Sequence, residues 1–163
     1  MKALVVPLLA GWTVLQAPVA QLDPAWAVVL PADSWRRYMY IPCSRDEPPR
    51  SEYWAPGFET IGPLEIALSL ALQRALDEKL KGRAARPASS DYYRQYVGIR
   101  VSGRPVIYIN GFHRSHVERS APESVESWRT QVVNVCDGGA FYFGAEYDPA
   151  TGHVTNIRFN GAG

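Results

Sequence analysis

Two cysteines and three histidines are the side chains of this 163-residue chain whose types most readily carry chemistry. Cys43 and Cys136 are the only cysteines. In an exported chain an even count predicts a disulfide. One closing so long a loop would stabilise the fold by roughly 4 kcal/mol on the chain-entropy argument. The competing chemistry makes Cys136 a nucleophile, with His113, His116 or His153 as its base and Asp137 alongside, although no local motif accompanies it. His113-x-x-His116 sets two imidazoles near one another, but zinc needs further ligands, and only Glu118, Glu123 and Glu126 stand close in sequence. There is no glycine-rich phosphate loop, no GxSxG and no HExxH. A pair of carboxylates for glycoside hydrolysis can be distant in sequence, and nothing singles one out. No catalytic residue is assigned, and no cofactor or metal is expected.

Arginines offer a different chemistry. Arg94, Arg100, Arg129 and Arg158 fall in segments that read as strands. Projecting together beside tyrosines they would contact an anion or a protein, so Arg94, Tyr96, Arg100 and Tyr108 form the candidate binding face. The alternative is a solvated or covered sheet surface. The polar connection 113–127, HRSHVERSAPESVES, is a second candidate, because a connection of this length is often functional or mobile.

These residues need a scaffold, and the hydrophobic pattern supplies one. Apolar content of 47% and a net charge of +1 describe a globular chain with no electrostatic call for nucleic acid or acidic lipid. Residues 63–81, PLEIALSLALQRALDEKLK, repeat leucine every fourth position and predict a helix, with Pro63 at its first position and Gly82 beyond its end. DYYRQYVGIRV and RPVIYINGF alternate around Ser102-Gly103 and predict a hairpin, with Tyr92, Arg94, Tyr96, Gly98 and Arg100 on one face. Trp128–Cys136 reads as a third sheet strand, followed by the turn Asp137-Gly138-Gly139. Phe141, Phe143, Ala145 and Tyr147 then share one strand face. After DPATG, Val154, Asn156 and Arg158 alternate with Thr155, Ile157 and Phe159. The expected fold is α+β: one main helix packed on an antiparallel β-meander, a cystatin/NTF2-like roll by layout. An N-terminal arm from residue 21 would wrap it.

Residues 1–20 carry one lysine, then an apolar stretch, then small residues, which predicts a secretory signal peptide. Pro7, Gly11 and Pro18 argue against a membrane anchor, so no integral membrane segment is expected after cleavage. Residues 21–163 would then be a single domain.

SEYWAP before a leucine-rich helix, then YYRQYVGI, VIYINGF, WRTQVVNVCDGG, FGAEYDPATG and FNG, together resemble a family of uncharacterised exported proteins of proteobacteria. The resemblance implies export and a bacterial source, and carries no functional residue across. The leading expectation is a periplasmic or secreted binding module, for example an inhibitor or immunity-type protein contacting an envelope protein. The alternatives are an envelope hydrolase using Cys136 or an unidentified carboxylate pair, and a structural envelope protein.

Overall fold

The computed structural model describes residues 25–36, 52–121 and 124–162. The expected signal peptide and Cys43 lie outside the described residues.

The main helix, α2, spans Phe58–Lys79, after a short α1 at Ala32–Arg36. Its start corrects the expectation that Pro63 would be its first residue. The amides of Thr60 and Ile61 bond to the Gly57 carbonyl at 3.1 and 3.3 Å, so a full turn precedes Pro63 and buries Ile61. Proline is tolerated there because it is exposed and forfeits a single backbone bond near the helix start. Leu64, Leu68, Leu72 and Leu76 are fully buried, which is what their four-residue spacing requires of one helix face. Beyond Leu80 the chain turns at Gly82, with φ +81°.

The hairpin forms as read. Strand β3 (Tyr92–Val101) pairs with β4 (Arg104–His113) from Tyr92↔His113 to Val101↔Arg104, and Ser102 (φ 51°) and Gly103 (φ 79°) make the turn. Strands β5 (Tyr142–Asp148) and β6 (His153–Phe159) continue the meander beyond β4. At the other edge of β3, β1 (Ala27–Val29) pairs in parallel with Arg94–Tyr96, and β2 (Tyr53–Trp54) pairs antiparallel with Gly98–Ile99. The result is α+β with a six-stranded sheet that is mixed rather than purely antiparallel.

Both faces of the sheet are covered. One carries Tyr92, Tyr96, Ile107, Ile109, Phe143 and Ala145 against the leucines of α2. The other carries Val97, Ile99, Val106 and Tyr108 against Leu30, Trp35 and Val132, and Phe112 against Val117 and Trp128.

Three details of the strands differ from the expectation. Trp128–Cys136 is not a strand: Ser127–Arg129 is a 3-10 turn, Arg129 therefore lies off the sheet, and the chain beyond it crosses the sheet face. Strand β4 already has β3 and β5 as neighbours, and buried side-chain amides meet this segment's backbone groups instead. Gln95 Nε2 donates to the carbonyls of Trp128 and Gln131, and the Val133 amide donates to Gln95 Oε1 at 3.0 Å. Asn110 Nδ2 donates to the Val133 carbonyl at 2.8 Å, and Asn160 Nδ2 to those of Val135 and Asp137. Secondly, Phe141 ends a 3-10 turn (Gly139–Phe141) and does not share the buried face of Phe143 and Ala145. Thirdly, the strict alternation in β6 is broken. Gly144 pairs with Arg158 but Glu146 with Thr155, so Asn156 and Ile157 together oppose Ala145. Asn156 takes φ 52°, which asparagine tolerates better than most residues, and donates to Glu146 Oε1 at 2.9 Å. The bulge puts Val154, Ile157 and Phe159 on the same side, all against the α2 core.

Candidate functional site

The residues expected to form one binding face are not brought together on an exposed surface. Arg94 and Tyr96 lie beneath α2, where Tyr96 hydroxyl donates to Glu65 Oε1 and Arg94 Nε lies 3.5 Å from Glu65 Oε2. Burial and the Glu65 carboxylate push the Tyr96 hydroxyl well above its ordinary pKa, so it remains a donor. Arg94 also donates to the Ser89 carbonyl at 2.9 Å. Tyr108 is on the opposite face, edge-on to Trp35. Only Arg100 is substantially exposed, paired with Glu52 at 3.3 Å. The pairing register explains the split: Tyr108 stands opposite Val97, whose side chain points away from that of Tyr96.

The connection after β4 is more productive. It opens with α3 (Ser115–Glu118), and the turn Gly138–Phe141 packs beside it. Gly138 and Gly139 have φ of 96° and 56°, backbone that a side-chain-bearing residue seldom adopts. The turn is held from three sides. Tyr92 hydroxyl donates to the Ala140 carbonyl at 2.6 Å, the Gly139 amide bonds to the Gly161 carbonyl at 2.9 Å, and the Asn160 amide to the Tyr142 carbonyl at 3.1 Å. So anchored, the turn presents Phe141 to solvent, with 44% of its surface exposed.

A cleft opens on each side of Phe141, and Gly138 and Phe141 line both. One, of about 420 Å³, is walled by Ser115, His116, Arg119, Ser120 and Tyr142. The other, of about 440 Å³, is walled by Lys79, Leu80, Arg83, Pro87 and Asn160. Among the described residues none of Arg119, Lys79 and Arg83 has a carboxylate within 4.0 Å, whereas Arg36, Arg86, Arg94, Arg100, Arg114 and Arg129 do. The charge bordering the two clefts is therefore positive.

The histidines sit in this region. His113 lies edge-on between Tyr92 and Phe141, with ring centroids 5.6 and 4.9 Å apart, and His116 packs edge-on to Phe112. Nδ1 of His113 is 2.9 Å from Ser115 Oγ, and Nδ1 of His116 is 3.0 Å from Tyr142 hydroxyl. Burial is the leading cause that lowers both imidazoles below their usual pKa; for His113 the Asp91 carboxylate opposes it. Burial raises the Tyr142 hydroxyl, with Arg119 acting against it. Among the described residues no three His, Cys, Asp or Glu side chains gather as a metal site. His153 stands far along the sheet, at the start of β6 opposite Asp148.

Connection 113–127 was legible as a candidate, but Lys79, Arg83, Phe141 and Tyr142 were not. The available signal was CDGG directly before AFYF: two glycines that can kink a turn, followed by aromatics too many for a single buried strand face. Comparison with known protein families, curated proteins and solved structures gives no match for this chain.

Proposed function

We propose that the protein is a small binding module that captures an acidic segment of a partner protein across the Phe141 ridge. The observation that carries this reading is an exposed aromatic, fixed on a rigid turn, between two clefts bordered by cations without carboxylate partners. Rigid aromatic anchors supply contact area at low entropic cost, and flanking charge supplies selectivity and rapid association. An envelope protein bound in the periplasm or outside the cell is the partner we favour, on the strength of the apolar N-terminal run and the motif resemblance. No helix among the described residues is long and apolar enough to cross a membrane. A Cys43–Cys136 disulfide belongs to the same reading; among the described residues no cysteine is free, which favours it over a thiol nucleophile.

Fluorescence anisotropy with two labelled peptides of equal length, one rich in Glu and aromatic residues and one rich in Lys and aromatic residues, tests the idea. The acidic peptide should bind saturably and lose affinity with salt, and Phe141→Ala should weaken it roughly tenfold or more. Equal binding of both peptides, or an unaffected Phe141→Ala, would remove the ridge from consideration.

A further inference from the structure

We infer that the cleft lined by Ser115, His116, Arg119 and Tyr142 is a discrete oxyanion site, in which Arg119 grips a carboxylate or phosphate group and Tyr142 donates to the same group. The inference deepens the reading above and rests on it for its biological partner, but its chemistry stands on the hydrogen-bond directions inside the cleft.

Those directions follow from counting protons. The Ser115 backbone N–H donates to His113 Nδ1 at 3.2 Å, so that nitrogen carries a lone pair and a neutral His113 holds its proton on Nε2. Ser115 Oγ, 2.9 Å from the same nitrogen, must then donate its own hydrogen to it. The lone pairs of Oγ are left to accept, and Arg119 donates into them at 3.0 Å. His113 thus orients Ser115, and Ser115 orients the guanidinium, while the remaining N–H groups of Arg119 stay available to a ligand.

Tyr142, which lines the same cleft, has a complementary property. Burial keeps the Tyr142 hydroxyl protonated. When His116 carries its proton on Nδ1 and donates to the Tyr142 oxygen, the tyrosine hydrogen is released toward the cleft, so an anion would select that tautomer. Ser120 takes no such part, because its hydroxyl donates to the His116 carbonyl at 2.8 Å. Arg119 and Tyr142 are therefore the donors of the cleft. A planar fork and a neutral hydroxyl lining one cleft suit an oxyanion, and the volume of about 420 Å³ admits one together with the atoms that bear it.

The test is an NMR titration of the isotope-labelled protein with inorganic phosphate and, separately, with acetate. The expected result is saturable shifts confined to Arg119, His116 and Tyr142. Affinity should fall roughly tenfold or more in Arg119→Gln, fall by less in Tyr142→Phe, and stay unchanged in Arg104→Gln, at the distant hairpin turn. Tighter phosphate binding would assign phosphate monoesters, and tighter acetate binding carboxylates. Non-saturating shifts spread over all basic residues, or equal affinity in folded Arg119→Gln, would overturn the site. Saturable anion binding without preference for the acidic peptide would overturn the partner reading alone. Acidic-peptide binding that is indifferent to Arg119→Gln, together with phosphate and acetate binding equally indifferent to it, would overturn the oxyanion site alone.

Discussion

Asn110 donates from Nδ2 to Gln95 Oε1 at 3.0 Å, the two side chains lying opposite each other on β4 and β3 beneath the 128–137 segment. Gln95 uses both its donors and both its acceptor positions on Asn110, Trp128, Gln131 and Val133. A buried amide with every site matched acts here in place of a neighbouring strand.

Gln95→Ala should cost about 3 kcal/mol or more, because two carbonyls, the Val133 N–H and one of the two Asn110 Nδ2 hydrogen bonds lose Gln95 at once. Urea unfolding read by tryptophan fluorescence measures this, Trp128 being the reporter nearest the change. A loss under about 1 kcal/mol would mean that water replaces the amide.

Helix α2 offers a built-in contrast. Leu68→Ala, at a fully buried position, should cost about 3 kcal/mol, while Ile66→Ala, on the exposed side of the same helix, should shift stability by about 0.5 kcal/mol or less. Comparable losses in thermal or chemical unfolding would show that the exposed side is covered in solution.

Gly98 lies flat under Trp54: a Cβ there would stand 2.3 Å from the Trp54 carbonyl oxygen and 2.7 Å from its indole ring. Gly98→Ala should displace β2 and cost about 2 kcal/mol, seen as a changed Trp54 indole resonance. That indole donates to the Ile99 carbonyl at 3.0 Å in the native sheet.

Acid should destabilise the protein in a definite window. His113 and His116 have folded-state pKa values below the ordinary 6.5, so the unfolded chain takes up protons first. Stability contributed by the two neutral imidazoles is complete above about pH 6.5 and is lost progressively as pH falls below it. Urea midpoints between pH 7.5 and 5 should show the decline, and His116→Gln should flatten it. A midpoint that rises on acidification would contradict the burial of these rings.

Intact mass after alkylation, with and without prior reduction, addresses the cysteines. Labelling of both thiols only after reduction is the expected outcome, with a lower Tm in reductant. Two thiols that label without reduction would reopen Cys136 as a nucleophile.

Local pattern alone determined the α2 leucine stripe, the β3–β4 hairpin with its Ser102-Gly103 turn, and the α+β class, because periodicity and turn chemistry act between residues close in the chain. It also marked connection 113–127. Tertiary structure decided the rest. Trp128–Cys136 has strand-like composition, but β4 had no free edge, and Gln95, Asn110 and Asn160 captured its backbone across the sheet instead. Asn156 shifted the faces of β6 by one bulge, which alternation cannot announce. The Phe141 ridge joins the end of α2, α3 and the glycine turn, three segments far apart in sequence, so its clefts exist only once the sheet and helix have packed.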